Sequence, residues 1–222
     1  AMLAGFLLIY VTLGTFELPE IWTRASELQD SSLLLPTVAL IIVGAVTKSA
    51  LFPFHIWLPQ AMVAPTPVSA LLHSATMVKA GVFLIARFTP VFVGVAQWEG
   101  TLVVLGMSTL VIGGVLALRQ HDLKALLAYS TVSQLSYIVL GALLANPSGV
   151  IGGGMHIVMH AFGKITLFFG AGAVLLATHE TEISRMHGLG RVMPVTFGTF
   201  FVGSLSIIGL PPAGGAWSKW YL

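Results

Sequence analysis

The sequence predicts an all-α protein that crosses a membrane several times, and three observations support this. Hydrophobic residues make up 56% of the 222 residues and charged residues only 8%. Soluble domains have about 25% charged residues, and a fold with so few could not cover its surface with polar groups. The apolar residues also form runs close to the ~20 residues that a spanning helix requires. No run shows the two-residue alternation of a membrane β-barrel.

The same composition excludes several classes of function. The net charge is +2, and the basic residues are too few and too scattered to form a face that binds nucleic acid. The chain has no cysteine. Disulfides, cysteine-ligated iron–sulfur clusters and thiolate zinc sites are therefore excluded, and no cofactor is predicted.

Seven apolar segments follow one another along the chain, and together they define one predicted membrane domain that covers residues 1–222. The segments lie at about 1–16, 33–59, 67–88, 101–118, 123–144, 149–177 and 195–222. A polar loop at 17–32 separates the first two. The chain begins and stops inside apolar runs, and we expect it to be a piece of a longer protein.

The distribution of basic residues predicts the orientation of these segments. The loops after the second, fourth and sixth segments, together with the start of the fifth segment, contain Arg119, Lys124, Arg185 and Arg191. Short cytoplasmic loops are enriched in arginine and lysine. We therefore predict that these loops face the cytoplasm of a bacterial-type inner membrane.

Two of the apolar segments contain signals that break a helix. One has Lys48 close to Pro53, and the other has Lys219 after Pro211 and Pro212. Proline removes a backbone donor and clashes with the preceding turn. Paired broken helices indicate an ion site in many transporters, although prolines also kink purely structural membrane helices.

Three lysines are predicted to lie inside apolar segments. Lys79 and Lys164 are near the middle of their spans, and Lys48 precedes the first break. A charged side chain at the centre of a bilayer costs about 2.5–3.5 kcal/mol on insertion scales. We therefore expect these lysines to face other helices or internal water, where they are candidate proton carriers.

The clearest local pattern consists of His156, His160 and Lys164. Residues four apart share one face of a helix, so these groups form a stripe about 12 Å long at ~1.5 Å per residue. Histidine titrates near neutral pH and can transfer a proton through either ring nitrogen. A proton relay is the leading hypothesis. Structural hydrogen bonding and a metal site are the alternatives, but no acidic or thiol third ligand lies nearby.

The other histidines carry weaker signals. His73 and Lys79 share a span, but their spacing of six places them on different faces of the helix. His55 is interpreted as an interfacial histidine among aromatic residues. Solvated loop positions are predicted for His121, His179 and His187.

Five stretches of the sequence contain lysine or histidine within long motifs, namely Val46–Pro59, Ala64–Gly81, Asp122–Tyr137, Met155–Lys164 and Gly209–Lys219. Together they resemble a known family, the antiporter-like membrane subunits. These are the L, M and N subunits of respiratory complex I (NADH-quinone oxidoreductase) and the A and D subunits of Mrp-type cation/proton antiporters.

The resemblance implies a fold and a set of functional residues. The fold is a fragment of two inverted five-helix repeats, each with one discontinuous helix, and the segments around Lys48 and Lys219 match those helices. The implied proton relay comprises Lys48, His73, Lys79, Lys124, His156, His160, Lys164 and Lys219. The family's partner glutamate lies on an upstream helix and is expected outside residues 1–222.

The resemblance also implies a function and partners. Trp220 stands where an acidic residue usually follows the lysine in the L subunit, which favours the Mrp branch, and the chain looks most similar to the D subunit of that branch. The implied function is proton conduction in a multisubunit cation/proton antiporter that exchanges sodium or potassium, without redox chemistry of its own. A proton-pumping L-type subunit of complex I and a structural subunit without transport are the alternatives.

Overall fold

The computed structural model describes residues 1–222 as a bundle of thirteen α-helices. The helices are α1 (Met2–Leu13), α2 (Leu18–Thr23), α3 (Ala25–Gln29), α4 (Leu34–Lys48), α5 (Trp57–Gln60), α6 (Thr66–Ser74), α7 (Met77–Phe88), α8 (Ala96–Leu118), α9 (Leu123–Leu143), α10 (Pro147–Thr178), α11 (Leu189–Val192), α12 (Pro194–Ile208) and α13 (Gly214–Tyr221). Extended pairing is limited to one isolated bridge between Asp122 and Glu182. The predicted all-α fold class is confirmed.

Local sequence signals set the ends of the two helices that organise the bundle. The side chain of Asp122 accepts a hydrogen bond from the backbone N–H of Ala125 and caps the start of α9. Asn146 caps α10 in the same way through the N–H of Gly149, and Pro147 occupies the first helical position. Both side chains satisfy donors that a helix start otherwise leaves without partners.

Four spans are long and apolar enough to cross a membrane. They are Thr66–Val91, which contains α6 and α7, and the helices α8, α9 and α10. Three shorter apolar helices, α1, α4 and α12, have 10–17 residues each. The chain is therefore an integral membrane protein, and its division into seven crossings stays a prediction.

Helix α10 lies at the centre of the contacts, packed against α6, α9, α12 and α13. Helix α8 packs along α9, where a Cβ added to Gly113 would come within 2.9 Å of the backbone nitrogen of Ser133. Only glycine permits this close approach of two backbones. On the outer face of α8, Val104, Val111 and Val115 are exposed, as expected where lipid is the solvent.

The loops lie on two sides of the bundle. On one side, the loop after α8 pairs with the loop after α10, through backbone hydrogen bonds from Leu123 to Thr181 (3.0 Å) and from Ile183 to His121 (2.9 Å). On the other side, Trp22 Nε1 donates to the carbonyl of Arg87 at 3.1 Å. Arg119 and Arg185 thus share one side, as the orientation argument requires, while the assignment of that side to the cytoplasm stays a prediction.

Both predicted helix breaks are present. Helix α4 ends at Lys48, and Pro53 lies in the run of turns before the single turn of α5. Helix α12 ends at Ile208, Gly209 has φ 89° in the left-handed region, and Pro211 and Pro212 precede α13.

A third interruption divides the segment that the sequence predicts as one continuous span at 67–88. The backbone N–H groups of Ala75 and Thr76 both bond the carbonyl of Leu71, and the Thr76 hydroxyl bonds it as well. The Ser74 hydroxyl donates to the carbonyl of Ala70. Side-chain hydroxyls that compete for helix carbonyls bend helices, and no proline or glycine marks this site in the sequence.

Candidate functional site

The predicted stripe on α10 faces the interior of the bundle. His156, His160 and Lys164 are each at most 2% exposed. They occupy one face of α10 because their spacing of four matches the helical repeat. All three are therefore held away from lipid, as the sequence predicts.

His160 is joined to the interrupted span α6–α7. Lys79 lies in the first turn of α7, directly after the third interruption. Its Nζ is 2.8 Å from His160 Nδ1, and the two residues are 81 positions apart in the chain. A histidine and a lysine in hydrogen-bond contact form a pair between which a proton can pass.

Lys164 is joined to α9. Its Nζ donates to the carbonyl of Leu127 at 2.9 Å and also to the hydroxyl of Ser130. The side chain is fully buried, and no acidic group neutralises it within this contact set. Its amino group contacts neutral oxygens alone.

His156 is joined to α13, the helix that follows the second predicted break. Its Nδ1 is 3.0 Å from the hydroxyl of Ser218. Its ring centroid is 5.9 Å from that of His160 and 5.9 Å from that of Tyr137. The stripe therefore contacts two of the three interrupted spans, α6–α7 through His160 and α12–α13 through His156.

Lys219 caps the end of the broken helix α12. Its Nζ donates to the carbonyls of Ile207 at 2.8 Å and Ile208 at 3.3 Å, and it lies 5.2 Å from the ring centroid of Tyr137. The break frees these carbonyls from their helical partners. The lysine satisfies them at the depth of the candidate site.

His73 is fully buried near the stripe. Its ring lies 5.0 Å from that of Phe168 and beside the backbone of Leu58. Neither ring nitrogen has a hydrogen-bond partner of good geometry, and the same holds for Nε2 of His156 and of His160. These nitrogens are free to accept or donate a proton.

Two predicted relay residues lie apart from this cluster. Lys48 is half-buried at the end of α4, beside an opening lined by Met2, Trp57 and Met77. Lys124 is half-buried in the first turn of α9. Neither makes a polar contact with the stripe, and their place in the relay stays a prediction.

The remaining histidines divide into one buried residue and three exposed ones. His55, interpreted as interfacial, is 8% exposed and packs its ring 6.5 Å from that of Tyr129. The three predicted loop histidines are exposed, namely His121, His179 and His187.

Acidic side chains are confined to the loops, the short helices α2 and α3, and the first turn of α8, with none on the buried face of α10. No three His, Cys, Asp or Glu side chains are grouped closely enough to hold a metal ion. The buried groups in contact with the stripe are thus basic side chains, hydroxyls and backbone carbonyls.

Sequence reasoning missed the groups that hold the stripe in place. Ser218 stands next to Lys219, and Ser130 and Tyr137 lie in the stretch Asp122–Tyr137 that carries the resemblance. Their roles depend on contacts between helices that are distant in the chain. The only available signal was their presence in motifs that already contain lysine.

The whole chain, residues 1–222, matches the family described as NADH:quinone oxidoreductase/Mrp antiporter, TM. It belongs to this family. The five sequence stretches therefore indicated the correct family. The unbroken helix α10 between interrupted spans belongs to one of its members.

Individual members of the family resemble the chain closely. It is 47% identical, over 99% of its length, to the A subunit of a Na(+)/H(+) antiporter from Alkalihalophilus pseudofirmus, of which it covers 29%. It is 42% identical, over 98% of its length, to NAD(P)H-quinone oxidoreductase chain 5 of a Picosynechococcus species, of which it covers 34%.

The fold is also found in a solved complex. The Mrp complex of a Dietzia species contains a chain that matches with a TM-score of 0.91 and 40% identity, over 99% of this chain and 24% of that one. The chain thus spans about a third or less of each of these relatives. None of the three is named as a D subunit, and closeness to that branch of the family stays a prediction.

Proposed function

We propose that the chain is the proton-conducting part of a membrane subunit in a multisubunit monovalent cation/proton antiporter. The observation that carries the proposal is one buried set of contacts that links four helical elements. It runs from Lys79 of α7 to His160 and His156 of α10, and from His156 to Ser218 of α13. Lys164 extends it to α9.

The chemistry of these groups supports transfer in steps. Lysine offers up to three N–H donors, and histidine can accept a proton at one ring nitrogen while it releases one from the other. The buried ring nitrogens without protein partners are available for internal water, which usually satisfies such groups. A proton can then pass from Lys79 through His160 to His156 without leaving the protein interior.

The names of the relatives support a role in a multisubunit membrane complex. The Alkalihalophilus relative is named as part of a Na(+)/H(+) antiporter, and the solved Dietzia relative is part of an Mrp complex. By extension, the partners of this chain are other membrane subunits, protons, and sodium or potassium ions. The host membrane is then the inner membrane of a bacterial cell.

A complex I-type subunit is the second candidate, because the Picosynechococcus relative is named an NAD(P)H-quinone oxidoreductase chain. The two functions share a proton relay and differ in what drives it. In proteoliposomes that contain the assembled complex, an imposed sodium or potassium gradient should drive proton flux if the first proposal holds. Flux that requires quinone reduction and ignores such gradients would favour the second.

The relay itself is tested in the full-length protein within its complex. Lys79→Met and His160→Gln should each lower proton flux at least about tenfold, since a positioned proton-transfer group contributes about 10²–10⁴-fold. His187→Gln is the matched control, because His187 is exposed in a loop. Normal flux in correctly assembled Lys79 and His160 variants would instead support a structural subunit without transport.

A further inference from the structure

Ser218 occupies a position that sets the chemistry of His156. It lies on α13 and is fully buried, and its hydroxyl is 3.0 Å from His156 Nδ1. The same hydroxyl donates to the carbonyl of Gly215 at 3.0 Å, one turn earlier in α13. Both contacts lie inside the bundle.

A serine hydroxyl has a single proton to donate and two lone pairs that accept. Because the Gly215 carbonyl takes the proton, the oxygen of Ser218 can only accept from His156. The hydrogen of neutral His156 is then on Nδ1, and its Nε2 carries a lone pair. That Nε2 is buried and has no hydrogen-bond partner in the protein.

The neighbouring histidine, His160, has the opposite tautomer when it accepts a hydrogen bond from Lys79. Lys79 Nζ contacts Nδ1 of His160, and a lysine ammonium donates without accepting. When Lys79 is protonated, Nδ1 of neutral His160 therefore carries the lone pair and its Nε2 carries the hydrogen. This Nε2 is likewise buried without a protein partner.

We infer that Ser218 is a positioning residue that fixes neutral His156 in the Nδ1–H tautomer and thereby leaves its Nε2 open to accept a proton from His160. His160 then presents a donor at Nε2, and His156 presents an acceptor at Nε2, on rings whose centroids are 5.9 Å apart. A proton that arrives at His160 Nδ1 from Lys79 releases the proton at His160 Nε2. His156 accepts that proton through an internal water, because the two Nε2 atoms do not bond each other, and its Nδ1 proton faces Ser218.

The location of Ser218 connects this tautomer to the broken helix. The next residue, Lys219, holds the carbonyls at the end of α12, and both residues belong to the eight-residue helix α13. A shift of α13 relative to α10 would therefore remove the acceptor from His156 Nδ1. The inference rests on the proposed function for its consequence, but the tautomer is a property of the structure alone.

The tautomer can be measured without any transport assay. The full-length protein is labelled with ¹⁵N-histidine, and a wild-type minus His156→Asn difference spectrum isolates the His156 ring. We expect the hydrogen on Nδ1 in the wild type and a shift towards the Nε2–H form in Ser218→Ala. A wild-type His156 with its hydrogen on Nε2, or a tautomer that does not change in Ser218→Ala, would overturn the inference.

Proton flux in the assembled complex provides the second measurement. Ser218→Ala should lower flux about tenfold, within the range seen when a partner that orients a histidine is removed, and Ser218→Thr should restore both flux and tautomer. Ser204→Ala is the control, because the Ser204 hydroxyl bonds only a carbonyl of its own helix. A changed tautomer with unchanged flux would contradict the relay, whereas an unchanged tautomer contradicts the inference about Ser218.

Discussion

Replacing Lys164 by methionine tests the role of this residue in transport separately from its role in stability. Lys164 is fully buried and donates to the Leu127 carbonyl and the Ser130 hydroxyl. Methionine is one atom shorter than lysine and similarly flexible, and it removes the amino group and its donors. Alanine would also open a cavity, which alone costs about 2–5 kcal/mol.

The contacts of Lys164 allow the effect on stability to be estimated. Two hydrogen bonds from a charged group contribute about 3–6 kcal/mol, at about 1.5–3 kcal/mol each. Burying the ammonium group costs several kcal/mol in the opposite direction. The Leu127 carbonyl keeps hydroxyl donors from Ser130 at 3.0 Å and Thr131 at 2.9 Å, so no buried acceptor loses its last partner. Because the lost hydrogen bonds and the relieved desolvation oppose each other, we expect the free energy of unfolding to change by no more than about 2 kcal/mol.

The assay compares proton flux in proteoliposomes with thermal unfolding of the same complex in detergent. Flux should fall at least about tenfold while the unfolding temperature stays close to that of the wild type. Arg191→Met is the control for loss of a positive charge, because Arg191 is exposed on the short helix α11. Unchanged flux would refute the assignment of Lys164 to the relay, and a large loss of stability would show that its role is structural.

Three further predictions concern packing, capping and charge. Gly113→Ala should destabilise the α8–α9 contact by about 1–3 kcal/mol through overpacking, whereas Gly114→Ala, whose Cβ would meet no atom closer than 3.9 Å, should be tolerated in the same thermal unfolding measurement. Lys219→Met should reduce both the unfolding temperature and the flux, because it removes the donor to the two carbonyls at the end of α12. The Arg24 guanidinium beside Glu27 lowers the pKa of that carboxyl. The contribution of this pair to stability is therefore present above the usual pKa of glutamate and is lost as the pH falls through the lowered value. Glu27→Gln should remove this acid dependence of stability, and an unchanged pH profile would contradict the prediction.

The sequence could predict the stripe on α10 because a local rule determines it. His156, His160 and Lys164 share a face in any helix with a repeat near 3.6 residues, and the apolar surroundings place that face inside the bundle. The partners of the stripe could not be predicted in the same way. Lys79 and His160 meet across 81 residues, and no periodicity in either helix specifies that contact.

The breaks all have local causes, but they differ in how directly the sequence marks them. Pro53 and the pair Pro211 and Pro212 mark their interruptions directly, because proline cannot continue a helix. The interruption at Ala75–Thr76 depends on hydroxyl groups that bond carbonyls of the preceding turn. Serine and threonine form such contacts in many unbroken helices, so their presence alone does not predict a break.

Two of the proposed relay lysines, Lys79 and Lys219, lie at interrupted spans, whereas His156, His160 and Lys164 lie on the unbroken helix α10. In the unbroken part of α10 the backbone groups bond to each other, and only side chains can take part in proton transfer, so the histidine rings have fixed positions. An interrupted span frees carbonyls, and these bind a lysine ammonium, as Lys219 shows at the end of α12. A lysine there can exchange a carbonyl for an imidazole or a water without breaking any helical hydrogen bond. The interruptions therefore provide the positions at which a charged donor can move while the fold remains intact.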